Sequence, residues 1–357
     1  MSSSDGSPMA RLPSNLVSVF TQALKSYQIS NATFRVLCSL TPSSLSSSAS
    51  TAAAAAAEPP TLHPPQTPIN SLLVLDSSFN PPTLAHRRMA LSALSDHGKP
   101  DTGSAGSSDK SRTPRVLLLL AINNADKAPK PASFPQRLAM MYIFAQDLLR
   151  CSASPAPRRA CQGVDIAVTT EPYFHAKAGA IAASDFYHRH RHQNQNQNQN
   201  LNEQDQDQDQ GPEQVYLTGF DTLIRIFDPK YYQNRPSSSG STAMASSLDP
   251  FFARAKLRVT TRTDAEWGDA AAQRAYVEGL RRGELARVGG RAEWVERIEM
   301  VEGSSRKEGQ EEEVVAVSST KVREAVRRKD WEALKRLVSE DVAGWIREEG
   351  LYAEEGV

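Results

Sequence analysis

Strands alternating with helices along most of the chain predict an α/β fold, a parallel sheet doubly wound with helices on both faces. Three observations carry that reading. Short, continuously apolar runs recur between helical patterns, as buried parallel strands require. Most of these runs end in a polar or glycine-bearing turn, where ligands bind beyond the carboxyl ends of parallel strands. The tracts that break the alternation are poor in apolar residues and interrupt one domain rather than separating several.

Taken in order, Ser14 is placed to cap a helix over 15–27, whose Leu16, Phe20, Leu24 and Tyr27 share one side. Phe34 to Leu40 follows as a short strand. Ser71 to Asp76 is a wholly buried strand in pattern, and a helix runs from Thr83 to about Ser95. Arg115 to Ile122 is a second such strand, leading to an amphipathic helix over Phe134 to Arg150 with Pro135 in its first turn. Val164 to Thr169 is a third, with a helix near Phe174 to Phe186. Gln214 to Thr218 is a fourth, passing through Gly219 into a helix near Asp221 to Phe227. Lys256 to Thr261 is a fifth, and a helix lies within 269–287. Trp294 to Met300 and Val314 to Val317 read as further strands. Helices over Thr320 to Arg328 and Trp331 to Leu337 and a turn near Asp341 to Glu348 close the chain.

The interruptions are Ser-, Ala-, Gln/Asn- or Gly-rich. They define an extension over 1–40, a linker over 41–70, and one domain over 71–352 with inserts near 97–113, 192–212, 233–247 and 303–313. Such segments bury too little apolar surface to offset an ordering cost of about 1–2 kcal/mol per residue. Removing them leaves roughly 250 residues, enough for one large core. Lys plus Arg (41) balance Asp plus Glu (41), so no global field draws the chain to nucleic acid or to an anionic membrane. Phosphate recognition must then be local. Three cysteines without close spacing argue against a disulfide framework or zinc site. No apolar run spans a bilayer, and Met1 to Pro13 lacks a signal-peptide core, so the expected compartment is cytoplasm or nucleus.

Two strand-end stretches carry the chemistry. The first is Ser77-Ser78-Phe79-Asn80-Pro81-Pro82-Thr83-Leu84-Ala85-His86. Small residues admit a ligand to the backbone, prolines hold the loop, and Thr83 opens a helix whose free N–H groups favour an anion. Thr83 and His86, three apart, face the same way, so a hydroxyl and an imidazole converge on one phosphate. Alone, the pair equally describes a helix cap beside a surface histidine. The second stretch leads from Val317 into Ser318-Ser319-Thr320-Lys321-Val322-Arg323. Ser319 or Thr320 caps the helix, and hydroxyls, helix start and cations form a second anion site. Alone, it is also an ordinary cap with a solvated basic face.

Together these stretches resemble the signature of the nucleotidylyltransferase superfamily: a Gly-Ser-Phe-Asn-Pro turn with His/Thr-x-Gly-His after it, and later Ile-Ser-Ser-Thr-Lys-Val-Arg. The resemblance is nearest to fungal nicotinamide mononucleotide adenylyltransferase-like proteins and covers about 72–330 with gaps. It implies a Rossmann-like sheet of the HIGH type. On that match Thr83, His86 and Arg323 are the catalytic set at the ATP phosphates. Ser78, Phe79 and Asn80 line the turn, and Ser319 and Thr320 join Arg323 on the β- and γ-phosphates. Lys321 faces solvent. Ser77 and Ala85 replace family glycines, and a positive φ at Ser77 would strain a serine.

Weaker matches fill the middle. Asn123 to Lys127 and Phe134 to Met140 resemble the acceptor-binding stretch, in which Lys127 (Lys130 in the other register) and Arg137 hold the mononucleotide; a charged loop with a solvated Arg137 fits as well. Thr218 to Leu223 resembles a Gly-x-Asp-x-Leu turn whose Gly219 and Asp221 contact nucleotide, although Asp221 also suits helix capping. Arg262, at a strand end, corresponds to an arginine beside the adenine, or is a surface charge. No tryptophan precedes Trp267, so Tyr231, Tyr232 or Phe134 stands in for the one that stacks on nicotinamide in the family.

The resemblance implies transfer of AMP from ATP to nicotinamide mononucleotide, giving NAD and pyrophosphate, with Mg²⁺ carried by the ATP. No Asp/Glu cluster reads as a protein-made metal cage. Flavin mononucleotide or phosphopantetheine would suit the same ATP site. Ser77, Ala85 and the missing tryptophan favour a non-catalytic nucleotide-binding regulator, and the 192–212 tract suits either an interaction scaffold or a spacer.

Overall fold

In the computed structural model, which describes residues 15–46, 60–67, 69, 71–97, 113–123, 131–152, 161–188, 211–233, 240–262, 267–303 and 317–353, the apolar runs become strands. These are β1 Phe34–Leu40, β2 Ser71–Asp76, β3 Arg115–Ala121, β4 Val164–Thr169, β5 Glu213–Gly219, β6 Ala255–Thr260 and β7 Ile298–Val301. They form one sheet in the order β1-β4-β3-β2-β5-β6-β7. All neighbours are parallel except β1, which runs against β4. The chain builds outward from β2 through β3 to β4, then crosses back and lays β5, β6 and β7 on the other side. The switch point therefore lies between β2 and β5, and a ligand crevice is expected beyond their carboxyl ends.

The helices are α1 Leu16–Gln28, α2 Pro42–Ser46, α3 Leu84–His97, α4 Phe134–Ser152, α5 Phe174–Ala182, α6 Phe220–Ile226, α7 Ala243–Arg254, α8 Ala270–Gly279, α9 Ser319–Arg327, α10 Trp331–Leu337 and α11 Glu340–Glu348. Pleating sends alternate strand residues to opposite faces. Leu73 and Leu75 of β2 enter one core with Leu118 of β3, Leu24, Leu94, Leu148, Val322 and Trp345. Leu72 and Val74 enter the other with Leu117, Ala178, Leu223, Leu248 and Val277. Thus α1, α3, α4 and α9–α11 cover one face and α5–α8 the other, the doubly wound arrangement expected. The C-terminal helices share a layer with α3, and that placement assembles the site.

At the amino ends of the strands, away from the turns, Arg115 donates to both carboxylate oxygens of buried Asp165 (2.7 and 2.6 Å) and to the His63 carbonyl (2.6 Å). The Tyr187 hydroxyl adds a third donor to Asp165 at 3.1 Å. The charges leave water only because each is met by several hydrogen bonds.

Several expectations need correction. Asn15, not Ser14, precedes α1, and its side chain makes no cap bond; Ser14 lies outside the described residues. Within the extension, residues 15–40 are not separate: β1 is the sheet edge, and Leu16, Phe20, Leu24 and Tyr27 sit in the core. Part of the linker packs too, the Ser39 amide donating to the Thr61 carbonyl at 2.8 Å. The Ser-rich insert 233–247 overlaps α7, because Thr242 accepts from the Ala245 amide at 3.0 Å and Met244, Ala245 and Leu248 are buried. The strand read over Trp294 to Met300 is a 3₁₀ helix, Ala292–Arg297, before β7 begins. Trp294 and Val295 are both buried there, and Trp294 stacks on Phe252 at 5.3 Å. The helix within 269–287 is interrupted at Gly283, where φ is 113°. Of the strand read at Val314 to Val317, the first three residues lie outside the described residues and Val317 is not in a strand. No helix among the described residues is long and apolar enough to cross a membrane.

Candidate active site

β2 ends at Asp76, and the chain leaves the sheet through a turn whose first amide, that of Ser77, donates to the Leu119 carbonyl of β3 at 3.3 Å. Positive φ falls on Phe79 (44°) and not on Ser77, so the expected strain at the serine is absent. Phe79 and Asn80 are buried, anchoring the turn. Thr83 then precedes α3.

His86 is held from both sides. Its Nδ1 accepts from the Thr83 amide at 3.0 Å and lies 2.8 Å from the Thr83 hydroxyl. An amide can only donate, so Nδ1 carries no proton and Nε2 does. Nε2–H therefore donates to Ser77 Oγ at 3.0 Å. Burial pushes the imidazole down to about 4, which leaves it neutral near pH 7. Thr83 and His86 lie together as their spacing of three implies, with the threonine holding the imidazole.

The second turn lands on the first. Ser318, rather than Ser319 or Thr320, caps α9 by accepting from the Lys321 amide at 3.3 Å. The cap position falls one residue earlier because Ser319 is engaged across space, its hydroxyl donating to the Pro81 carbonyl at 2.8 Å. Arg323 donates to the Asn80 carbonyl at 2.7 Å and to Thr320 Oγ1 at 3.2 Å. Lys321 is exposed, as expected. The Tyr352 hydroxyl donates to Asn80 Oδ1 at 2.8 Å, and burial pushes its pKa up. Residue 80 is thus gripped through its backbone by α9 and through its side chain by the chain following α11. Tyr352 carried no motif, and only the fold marks it.

A third turn follows β5. Gly219 precedes α6, and a Cβ there would sit 2.7 Å from Asp221 Oδ1. Asp221 makes no helix cap; it pairs with Arg262 at 2.9 Å, so two residues matched separately in sequence form one unit. Arg137 is not solvated. It is buried, donates to the Ala132 carbonyl at 2.9 Å and lies over Phe134 at 5.1 Å. Burial lowers its pKa, with Arg323 nearby acting in the same direction. Lys127 and Lys130 lie outside the described residues.

Beside the first turn opens a cavity of about 240 Å³, bordered by Ser77, Ser78, Tyr173, Lys177, Arg225 and Tyr231 among others. Tyr232 borders it as well, whereas Phe134 does not. Tyr173 stacks on His175 at 5.7 Å and meets Tyr231 edge-on at 6.2 Å. Lys177 pairs with Asp76 at 2.5 Å, both largely buried. Sequence reasoning missed Tyr173, His175, Lys177 and Arg225. The signal was present in Glu171-Pro172-Tyr173-Phe174-His175, which leaves the carboxyl end of β4 as the recognised turns leave β2 and β5. Among the described residues no group of three or more His, Cys, Asp or Glu gathers to hold a metal ion.

The chain is 30% identical over 278 residues to a Schizosaccharomyces pombe (strain 972 / ATCC 24843) protein named "Putative nicotinamide mononucleotide adenylyltransferase", covering 77% of this chain and 84% of that one. Among solved structures it is similar to the Plasmodium falciparum nicotinic acid mononucleotide adenylyltransferase complexed with NaAD, at 11% identity and a TM-score of 0.37, covering 79% of this chain and 97% of that one. It is also similar to a "Putative Nicotinate-nucleotide Adenylyltransferase" of Vibrio parahaemolyticus, at 12% identity and a TM-score of 0.30, covering 80% and 98%. No family model matches the chain.

Proposed function

The chain belongs to the nicotinamide mononucleotide adenylyltransferase family, and from that premise we propose that it transfers AMP from ATP to nicotinamide mononucleotide, forming NAD and pyrophosphate. The observation that carries this reading is the apposition of the two phosphate turns, Ser319 on Pro81 and Arg323 on Asn80. A polyphosphate between two helix starts meets backbone amides, hydroxyls and a guanidinium at once.

In the proposed reaction an oxygen of the acceptor's 5′-phosphate attacks the α-phosphorus of ATP in line. The bond to the bridging oxygen breaks, and pyrophosphate leaves with its electron pair. The attacking phosphate is already anionic, so no base is needed. Rate comes from positioning and from neutralising charge on the leaving group. Arg323 supplies donors there, the neutral His86 stands at the same end with Thr83 orienting its imidazole, and Ser78, Phe79 and Asn80 shape the turn. Mg²⁺ travels with ATP. The Asp221–Arg262 pair, beyond Gly219, faces the adenosine, and Arg137 with Lys127 serves the acceptor. Tyr231, Tyr232 and Tyr173 form the aromatic wall for the pyridine ring, replacing the missing tryptophan.

One observation favours a second acceptor. Arg225 at the cavity wall makes no ion pair among the described residues, and a cation there suits the carboxylate of nicotinate mononucleotide. The deciding experiment incubates purified protein with ATP, Mg²⁺ and each mononucleotide and identifies the dinucleotide formed. NAD supports the first acceptor and its acid analogue the second. Product only with flavin mononucleotide or phosphopantetheine overturns both, and ATP binding without any product makes the chain a nucleotide-binding regulator.

A further inference from the structure

Serine stands at position 77 where the related signature has glycine, and its hydroxyl occupies the one imidazole nitrogen a phosphate would otherwise meet. Nδ1 of His86 is taken by Thr83, and Nε2–H is taken by Ser77. The imidazole therefore has no free donor for ATP while this arrangement lasts. Ser77 does: its oxygen accepts from His86, which leaves its own O–H unspent. The residue borders the cavity, its amide is tied to β3, and its φ is not positive, so the side chain sits there without backbone strain.

We propose that Ser77 is a phosphate-contacting catalytic residue, accepting the Nε2–H of His86 on its oxygen and turning its hydroxyl proton to the triphosphate. This rests on the reading that ATP phosphates lie at the His86 end of the crevice. A hydroxyl that accepts from one partner becomes a better donor to the next, because hydrogen bonds in a chain polarise one another. The serine thus extends the reach of His86 and takes over the function of the close approach that glycine would permit. No covalent step is involved, since Ser77 and His86 keep their protons throughout.

The test is a double-mutant cycle of Ser77→Ala, His86→Ala and both together, read as pyrophosphate release with ATP, Mg²⁺ and nicotinamide mononucleotide and as ATP affinity by calorimetry. Loss of one hydrogen bond to a charged phosphate lowers kcat by about 10- to 100-fold in Ser77→Ala, with the melting temperature unchanged. The double variant should be no slower than the slower single variant, because both residues act through one chain of hydrogen bonds. A Ser77→Ala enzyme at wild-type kcat, or losses that multiply in the double variant, overturns the proposal. If the wild type forms no dinucleotide, the adenylyl-transfer reading fails by itself. Ser77 is then judged on ATP affinity, which Ser77→Ala should weaken by several-fold with no further loss on adding His86→Ala. Unchanged affinity overturns it.

Discussion

Replacing Tyr352 with phenylalanine removes one oxygen atom and leaves the ring in place. That oxygen donates to Asn80 Oδ1 at 2.8 Å, with both residues buried at 7% and 4% exposure. The backbone takes a left-handed conformation at Tyr352 (φ 65°), unusual for a tyrosine, where the hydroxyl reaches the turn. In the variant the Asn80 carbonyl oxygen loses this donor, so the cost is that of a buried acceptor left short, about 1–3 kcal/mol. For a protein of this size each kcal/mol moves Tm by about 2–4 °C, so the expected drop is roughly 2–12 °C. Differential scanning calorimetry measures it directly. Because Asn80 also carries Arg323 on its backbone, kcat should fall with little change in the KM for the acceptor. A Tyr352→Phe protein melting within a degree of wild type, at full rate, would refute the idea that the C-terminal segment clamps the phosphate turn.

Three further outcomes follow from the same contacts. His86, with its pKa lowered to about 4, should stay neutral through pH 6 by imidazole NMR. The unfolded chain takes up that proton near pH 6.5 and the folded one refuses it until about 4, so the group's effect on stability is to lower it as pH falls through that window; a ring titrating near 6.5 in the folded protein would contradict this. Asp165→Ala leaves Arg115 buried without its carboxylate and should cost about 3–5 kcal/mol in urea unfolding, and an unchanged midpoint would mean the pair is not isolated from water. Tyr231→Ala should raise the acceptor KM by up to about tenfold through a lost ring contact, leaving the ATP KM alone; equal effects on both substrates would remove Tyr231 from the acceptor side.

Local pattern was enough for much of the molecule. β1, β2 and β4 are readable to the residue, because an apolar stretch bounded by turn residues has few other conformations available. The two turns that meet at Pro81 and Asn80 are legible for the same reason, since a small-residue loop feeding a helix start is a short-range feature. Less local features escaped. Hydroxyl residues before a helix usually cap it, which points to Ser319 or Thr320, yet the Ser319 hydroxyl is spent on Pro81 and Ser318 caps instead. Trp294 reads as the start of a strand that runs to Met300, whereas it lies in a 3₁₀ helix with its ring stacked on Phe252.

By itself the sequence determined the α/β class, the run of strands and the residues at their carboxyl ends, all written in neighbours a few positions apart. Only the tertiary structure decided that β1 closes the sheet edge, that Arg323 and Tyr352 meet at Asn80, that Asp221 pairs with Arg262, and that tyrosines wall the cavity. Those contacts join residues tens to hundreds of positions apart. Each depends on where two faces of a sheet send their helices, and no local preference of the chain records it.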